Sequence, residues 1–287
     1  VLITGSNGFI GKNLKVRLEK IKKYTVLEFN REHSEKDLYN AVKKAETIIH
    51  LAGENRPENI DSFEEVNHQL TKKICNFCRE KDTKTHIIFS SSTQAVQDNL
   101  YGKSKLAGEN ELAELNNSTE NLVNIFRFPG VFGKWCKPNY NSVVATFCHN
   151  ISHSLPIKII DKSKNLDLVH IDDVVDSMIK VASINQDGVN YINIDNEYKV
   201  SIGELADLIR SFNKSRDSLE IERVGVGFTR ALYSTYLSYL PVENFSYSIP
   251  SHDDQRGSFV EMLKTKDSGQ FSFFTAKPGI TRGGHYH

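Results

Sequence analysis

The chain has 287 residues, more than most single domains, so we expect one large α/β domain and a smaller additional piece. Its 39% hydrophobic and 25% charged residues are typical of globular proteins. The 36 basic residues balance 36 acidic ones, which does not favour nucleic acid or an anionic membrane as a partner. No apolar run approaches the roughly 20 residues that span a bilayer. With no signal-type segment at the start, we predict a cytoplasmic protein.

The chain opens with a short apolar run, residues 1–4, that breaks into three spaced glycines. The run predicts a buried strand, and apolar residues at helical spacing follow the glycines, so the glycines lie at a strand-to-helix turn. Glycine permits a tight turn and close approach of a pyrophosphate, while N–H groups at the helix start face the anion. The sequence therefore predicts a dinucleotide site that includes Gly5, Asn7, Gly8, Phe9, Ile10 and Gly11.

Residues 24–29 predict a second strand that ends at Asn30 and Arg31. In NAD-preferring enzymes an acidic side chain near this strand end binds the adenosine ribose, whereas a basic one suits a 2′-phosphate. We find Arg31 and no carboxylate at the strand tip, which favours NADP. The alternative for Arg31 is an ordinary solvated charge.

Strands and helices alternate through the first fifty or so residues. Residues 34–44 predict a polar helix, and residues 46–51 predict a third strand. This alternation is expected of a Rossmann-type, doubly wound parallel sheet. Further along, Cys75 and Cys78 form a Cys-x-x-Cys pattern inside an amphipathic helix. No second cysteine pair accompanies them, so we interpret both as core side chains rather than as a redox or metal site.

The strongest catalytic pattern follows the next predicted strand, residues 85–89, which opens into a run of serines ending at Ser92. Tyr101 and Lys105 come soon after, and their spacing of four residues puts both side chains on one helical face. A neighbouring ammonium stabilises a phenolate and lowers the pKa of the phenol from about 10. We therefore predict that Lys105 tunes Tyr101, which gives a proton to a ketone oxygen while a cofactor supplies hydride.

Together, the Gly-x-x-Gly-x-x-Gly spacing after Thr4 and the Tyr-x-x-x-Lys pattern resemble the short-chain dehydrogenase/reductase superfamily, in its extended branch that acts on nucleotide sugars. The resemblance implies that Lys105 also holds the nicotinamide ribose and that a serine hydroxyl positions the carbonyl oxygen. Counting from Phe89, that serine is Ser92, with Ser91 and Thr93 as alternatives. It further implies cofactor contacts at Leu51, Ala52 and Gly53.

Two further segments predict substrate contacts. Extended members typically read Arg-x-x-Asn-x-x-Gly after the fifth strand, and this chain keeps Arg127 but has Gly130 in the Asn position. The loop of residues 134–142 holds the only Trp, and aromatic rings beside Lys and Asn suit a uracil base and a diphosphate. The alternative is a Trp packed on the core. The predicted substrate-binding residues are Asn55, Arg56, Ser91, Thr93, Gln94, Arg127, Lys134, Trp135, Lys137 and Asn141.

The pattern changes at about residue 241, after which residues 256–263 and 269–274 alternate as strands do. With the final Gly-x-x-Arg-Gly-Gly-His-Tyr-His, this alternation resembles the opening of a cupin and the start of its metal motif. We therefore predict a reductase domain with a substrate-binding C-terminal lobe over residues 1–240, and the resemblance implies the beginning of a cupin-like β-sandwich over residues 241–287. On a strand, His285 and His287 face one side and could share a metal ion, which the resemblance implies is zinc. A metal site needs about three or four protein ligands, so we expect the others beyond residue 287.

The loop of residues 134–142, with residues 50–53 and 55–57, resembles the bifunctional enzymes of bacterial capsular polysaccharide synthesis. That resemblance implies NADPH-dependent reduction of the C4 ketone of a UDP-linked 2-acetamido-2,6-dideoxy-hexulose, with C3 epimerisation by the cupin, toward an N-acetyl-L-fucosamine precursor. It also implies a homodimer, and a UDP-GlcNAc 4,6-dehydratase as the functional partner that supplies the substrate.

Two alternatives stay open. One is a nucleotide-sugar 4-epimerase or 4,6-dehydratase of the same fold, although a dehydratase typically carries an Asp-Glu pair where this chain has Thr93 and Gln94. The other is an NADP-sensing regulator without catalysis, which would tend to lack Tyr101 or Lys105. Loss of hydride transfer in Tyr101→Phe separates an enzyme from a sensor.

Overall fold

The structure is a computed structural model that describes residues 1–57 and 59–280. The strands are β1 (Leu2–Thr4), β2 (Leu27–Phe29), β3 (Thr47–His50), β4 (His86–Ser92), β5 (Leu122–Phe128), β6 (Gly130–Phe132), β7 (Asn165–His170), β8 (Val189–Ile192), β9 (Glu197–Ser201), β10 (His252–Asp254), β11 (Gly257–Thr265) and β12 (Gly269–Phe274). The α-helices are α1 (Phe9–Ile21), α2 (Glu35–Lys44), α3 (Leu70–Arg79), α4 (Leu100–Ser118), α5 (Val143–Ser152), α6 (Ile171–Ala182), α7 (Ile202–Ser218) and α8 (Gly227–Leu237).

Three shorter helical segments complete this framework. A π-helical segment, Phe63–Gln69, runs directly into α3, and 3-10 turns cover Thr93–Val96 and Val242–Asn244. No helix among the described residues has both the length and the apolar composition needed to cross a membrane.

A six-stranded parallel sheet in the order β2-β1-β3-β4-β5-β8 confirms the predicted Rossmann-type, doubly wound fold. The strand order reverses direction between β1 and β3, and ligands of such sheets bind outside the carboxyl ends of the strands at that point. The fold therefore directs a ligand to the ends of β1 and β3, where the glycine-rich turn and residues 51–53 lie.

Neighbouring apolar residues in the sheet strands alternate between two hydrophobic clusters, as the pleat requires. Leu2 packs into a cluster with side chains of α2, α3 and α4, whereas Ile3 packs into a second cluster with α1 and α6. Both residues are fully buried. Cys75 and Cys78 belong to the first cluster, where burial raises the pKa of the Cys78 thiol to about 11. This environment fits the interpretation of the pair as core side chains.

The described residues group into two compact units. The first unit comprises Val1–Lys137 and Asp167–Lys199, and contains the six-stranded sheet. The second comprises Pro138–Leu166 and the described residues from Val200 onward. Within it α5 contacts α7 and α8, and β10, β11 and β12 form an antiparallel sheet. The strands predicted near residues 256–263 and 269–274 are thus present, while the assignment of residues 241–287 to a cupin stays a prediction.

Candidate active site

A cavity of about 700 Å³ lies at the carboxyl ends of β1 and β3. Most of the predicted cofactor residues meet there, together with side chains of the π-helical segment and the start of α3. The lining includes Gly5, Asn7, Gly8, Arg31, Leu51, Ala52 and Gly53 from the predicted set. Phe9 and Ile10 pack against the second hydrophobic cluster instead, so in this structure they anchor the start of α1 to the core.

Steric contacts explain the glycines of this turn. Gly5 has φ +71°, and a Cβ there would lie 2.9 Å from the backbone of Ala52, so a side chain would push β1 and β3 apart. A Cβ on Gly11 would overlap the Gly5 carbonyl and lie 2.7 Å from Ser6 Cα. At the N-cap of α1, Gly8 provides no side chain to hydrogen-bond the first helical N–H groups. The cradle therefore fits a dinucleotide pyrophosphate, which those N–H groups can bind.

The adenosine end of the cavity differs from the sequence-based prediction in one respect. Arg31 lines the cavity and pairs with Glu54, but the carboxylate-bearing Glu32 lines the cavity too. Asn7 Nδ2 donates to Glu32 Oε1 at 3.4 Å, across the turn. The statement that no carboxylate stands at this strand end is therefore wrong, because the loop after β2 brings Glu32 back to the cavity. Arg31 alone carries the argument for a 2′-phosphate.

A second cluster, at the end of β4 and the start of α4, contains the predicted catalytic residues. The Tyr101 hydroxyl lies near the Ser92 side chain, which acts to lower the Tyr101 pKa. Lys105 Nζ donates to the Ser90 carbonyl at 2.7 Å and lies 4.9 Å from the centroid of the Phe89 ring. The i, i+4 spacing on a helix thus delivers both side chains to the strand end, as predicted. Lys105 is only 4% exposed, so its charge is shielded from water.

Burial controls the protonation of both groups. Desolvation lowers the pKa of Lys105 from 10.5 to about 8, against an opposing attraction from Glu109. Desolvation raises the pKa of Tyr101, and the neighbouring Ser92 side chain opposes that rise. The lowering of the Tyr101 pKa by Lys105 stays a prediction, because burial has the largest effect on that pKa in this structure and the ammonium donates to the Ser90 carbonyl. Tyr101 is thus held as a phenol, the form that can donate a proton.

The two clusters meet at Gly53. A Cβ on Gly53 would lie 3.1 Å from Lys105 Nζ and 3.1 Å from Asn67 Oδ1, so this cavity-lining glycine makes room for the lysine. Asn67 accepts from the Glu54 N–H at 2.8 Å and donates to Ser104 Oγ at 3.0 Å, which ties the π-helical segment to α4. Lys105, the predicted catalytic lysine, therefore lies beside the wall of this cavity.

Sequence reasoning missed a glycine that lets α4, the helix with the predicted catalytic residues, pack closely. A Cβ on Gly102 would overlap the Gln94 carbonyl and lie 2.9 Å from the Gln97 carbonyl. Because the Gly102 N–H also binds the N-cap side chain of Asn99 at 2.8 Å, the first turn of α4 is pressed against the 3-10 turn after Ser92. The signal was the glycine directly after Tyr101, whose steric role only the packing reveals.

Several predicted substrate residues make contacts within the fold. Ser91 and Arg127 both bind the buried Glu109 carboxylate. Thr93 Oγ1 donates to the Phe128 carbonyl at 3.5 Å, and Gln94 Oε1 accepts from Asn99 at 3.4 Å. Their substrate contacts stay predictions, as do those of Asn55 and Arg56, which are exposed.

The loop with the only Trp extends into solvent. Trp135 is 51% exposed and has φ +69°, so the alternative of a Trp packed on the core is wrong. Lys134 Nζ lies 5.7 Å from the centroid of the Trp135 ring and 3.4 Å from Asp172. Asn13 Nδ2 donates to the Lys134 carbonyl at 3.3 Å, which anchors the loop to α1. Lys137 and Asn141, further along, are exposed.

The predicted metal ligands, His285 and His287, lie outside the described residues. Within residues 1–57 and 59–280, no group of three or more His, Cys, Asp or Glu side chains could hold a metal ion.

Known proteins match the chain along its whole length. A model of the NAD dependent epimerase/dehydratase family matches residues 1–195, and a model of the polysaccharide biosynthesis C-terminal domain matches residues 252–287. A curated relative is the UDP-2-acetamido-2,6-beta-L-arabino-hexul-4-ose reductase of Pseudomonas aeruginosa. It is 50% identical over 287 residues, which are 100% of this chain and 77% of the relative.

Solved structures are also similar to this chain. The capsular polysaccharide assembling protein CapF from Staphylococcus aureus is 42% identical with a TM-score of 0.89, and the match covers 100% of this chain and 78% of CapF. MoeE5 in complex with UDP-glucose and NAD is 19% identical with a TM-score of 0.69, over 83% of this chain and 97% of MoeE5, and shares the fold. The chain belongs to the NAD dependent epimerase/dehydratase family of nucleotide-binding enzymes.

Proposed function

We propose that the protein is an NADPH-dependent reductase that converts the C4 ketone of a UDP-linked 2-acetamido-2,6-dideoxy-hexulose to an alcohol. The observation that carries the proposal is the cluster of Ser92, Tyr101 and Lys105 beside the dinucleotide cavity. It stands in a chain 50% identical over its full length to a hexul-4-ose reductase. A fold alone would not support this function, because many chemistries share it.

Bound in the cavity, a reduced nicotinamide supplies hydride to the carbonyl carbon. Side chains of the protein bind the carbonyl oxygen and protonate it. The hydroxyls of Tyr101 and Ser92 are neighbours, so both can donate to one carbonyl oxygen and orient it. As negative charge develops on that oxygen, Tyr101 transfers its proton and leaves an alcohol.

Lys105 stabilises the phenolate that this transfer leaves behind. With a pKa of about 8, the lysine is mostly protonated at neutral pH. Since the ammonium is buried, its attraction for a nearby anion is weakly screened and therefore stronger than in water. The pair can thus complete a turnover without an external acid, and the phenol is restored by proton exchange with solvent.

The preference for NADPH over NADH rests on Arg31, which lines the cavity at the end of β2. A guanidinium presents a fork of N–H donors that suits a phosphate. Glu32, in the same lining, would repel a 2′-phosphate and suit a ribose diol, so the two side chains favour opposite cofactors. We infer that Arg31 dominates once a phosphate draws it from Glu54.

The substrate is inferred from the named relative and from the exposed loop beside α1. Trp135 offers a ring face to a uracil base, and the neighbouring Lys134 offers a cation to a diphosphate. A 4-keto-6-deoxy sugar arises when C4 of a nucleotide sugar is oxidised, water is eliminated across C5 and C6, and the hydride taken from C4 is returned to C6 with a proton added at C5. A UDP-GlcNAc 4,6-dehydratase is therefore the proposed supplier of this substrate.

The test traces the hydride of NADPH into the product. The purified protein is given the UDP-linked 4-keto sugar and NADPH deuterated on the transferred position, and the product is analysed by NMR and mass spectrometry. We expect one deuterium at C4 of an alcohol, with one NADPH oxidised for each alcohol formed. A product epimerised at C4 without net NADPH oxidation would instead identify a 4-epimerase. Binding of NADPH with no product from any 4-keto sugar nucleotide would favour the sensor.

A further inference from the structure

Three consecutive residues at the end of β4 each contact one residue of α4. Ser92 lies beside the Tyr101 hydroxyl, the Ser90 carbonyl accepts from Lys105, and Ser91 Oγ donates to Glu109 Oε1 at 2.5 Å. On the helix these partners follow one another at intervals of four residues and so lie along one face. The mechanism uses the first two contacts and leaves the third without a role.

Glu109 is a buried carboxylate with several hydrogen-bond partners. It is 1% exposed, and Arg127 binds both of its oxygens, through Nε at 3.0 Å and Nη2 at 2.6 Å. The Tyr191 hydroxyl donates to Oε2 at 3.1 Å, and the Arg127 guanidinium lies 4.6 Å from the centroid of the Tyr191 ring. A buried ion pair is a weak source of stability, because desolvating both charges offsets their attraction. Stability alone therefore gives little reason for a buried ion pair one helical turn beyond Lys105.

The sheet itself brings the partners of Glu109 together. Ser91 and Arg127 are register partners on the adjacent strands β4 and β5, and Tyr191 lies on β8, the next strand. Tyr191 stands opposite Ile125, two residues before Arg127 on β5, so Glu109 connects α4 to three adjacent strands. A slip of the helix along the sheet would break these contacts together, so they define where Tyr101 and Lys105 stand relative to Ser92.

We propose that Glu109 is a positioning residue of the reductase: held by Ser91 and Arg127, it fixes the register of α4 on β4 and keeps Lys105 charged. This inference rests on the proposed function for its kinetic consequence. It does not rest on that function for its structural one, since the charge of Lys105 is measurable in the protein without substrate.

The charged and titratable groups around Lys105 are few among the described residues. Tyr101 and Glu109 share its helix, and His50 approaches from β3. His50 is fully buried between Thr4 and Thr71, and burial lowers its pKa to about 3, so it carries no charge near neutral pH. Glu109 is therefore the anion that supports the Lys105 charge, as its upward effect on the Lys105 pKa indicates.

The experiment compares variants whose effects have opposite signs. In Glu109→Gln the supporting anion is lost while Arg127 stays, so Lys105 should lose its proton at a pH lower by about half a unit or more. In Arg127→Gln the anion stays without its partner, so Lys105 should keep its proton to a higher pH. Glu114→Gln, on the exposed side of α4, is the matched control and should titrate as the wild type does.

Two readouts are used on the full chain: NMR titration of Lys105 with isotope-labelled lysine, and the pH profile of kcat/KM for NADPH oxidation. We expect the alkaline limb of the profile to move with the NMR titration in both variants, and kcat of Glu109→Gln to fall about tenfold or more. A double variant, Glu109→Gln with Arg127→Gln, removes both buried charges and covers the case in which a single variant does not fold. It should titrate below Arg127→Gln.

Three results would overturn the proposal. One is an unchanged Lys105 titration in Glu109→Gln; another is a shift of the same sign in both single variants. The third is a double variant that titrates together with Arg127→Gln. If the wild type fails to oxidise NADPH with the 4-keto sugar, the proposed function fails, while the NMR titration still decides the role of Glu109.

Discussion

The two halves of the site, the turn between β1 and α1 and the junction of β4 with α4, are built in different ways. The first is made of backbone: Gly5 and Gly11 allow strand, helix and Ala52 to approach closely, and helical N–H groups face the cavity. The second is made of side chains, which reach a strand end from successive turns of α4. Because the two halves use different groups, we expect substitutions in the first half to change cofactor binding and substitutions in the second half to change the rate of the reaction.

The largest effect is expected from a side chain added to the backbone half. In Gly11→Ala the new methyl group overlaps the Gly5 carbonyl and crowds Ser6, so the strand and helix must separate. We expect a loss of about 3 kcal/mol in the free energy of unfolding, together with loss of NADPH binding. Thermal unfolding and NADPH fluorescence titration measure the two effects.

Gly225→Ala is the control for that substitution, because no atom lies within 4 Å of a Cβ at Gly225. Near-native stability and NADPH affinity in Gly11→Ala would contradict the account of the turn.

A smaller effect, of the opposite sign on stability, is expected in the side-chain half. The fall of the Lys105 pKa from 10.5 to about 8 corresponds to a cost of about 3 kcal/mol for holding the charge inside the folded protein. Lys105→Met removes that cost and also the bond to Ser90, worth about 1 to 2 kcal/mol. We expect a net gain of about 1 to 2 kcal/mol in unfolding free energy and loss of turnover.

The stability gain of Lys105→Met over the wild type should decrease as the pH rises. Because the folded-state pKa of Lys105 is lowered, the cost is fully present below about pH 8 and disappears as the pH rises to 10.5. The stability of the wild type should therefore approach that of Lys105→Met across this range. Lys103→Met, exposed on the same helix and paired with Asp98, is the control. A pH-independent difference between wild type and Lys105→Met would refute this origin.

Cofactor preference should change more modestly. Removing the guanidinium in Arg31→Ala should lower the preference for NADPH over NADH by about tenfold, as expected for one charge-assisted phosphate contact. Glu32→Gln should change the preference in the opposite direction. The ratio of kcat/KM for the two cofactors measures both, and equal ratios in wild type and Arg31→Ala would show that another residue selects the cofactor.

The smallest effect is expected at the exposed loop. In Trp135→Ala the lost ring is half exposed, so stability should change by less than about 0.5 kcal/mol. If the ring stacks on uracil, KM for the UDP-sugar should rise about tenfold while kcat stays close to that of the wild type. Calorimetry and steady-state kinetics separate these effects. A marked loss of stability with KM unchanged would make Trp135 a structural residue.

Local patterns were predictable where spacing alone fixes geometry. The glycines of the first turn and the pair of Tyr101 and Lys105 are close in sequence, so one turn and one helix place them. Glu109 could not be predicted, because its partners Ser91, Arg127 and Tyr191 come from three strands whose register the sequence does not state.

Other features depended on packing that no local signal reports. The amphipathic pattern around Cys75 and Cys78 predicts a helix but not the π-helical segment Phe63–Gln69 that precedes it. Glu32 reaches the cavity because β2 ends at Phe29 and the loop turns back. The pKa of Tyr101 depends on how far the ring is buried, which the Tyr-x-x-x-Lys spacing does not specify.

The measurement that tests the central claim most directly is the rate of NADPH oxidation by wild type and Tyr101→Phe, with the UDP-linked 4-keto sugar as substrate. If the backbone half binds and the side-chain half reacts, both proteins should bind NADPH with the same affinity. The variant should then turn over about 100-fold or more slowly, because it lacks the proton donor. Equal rates in the two proteins, or no oxidation by a wild type that binds NADPH, would contradict the claim.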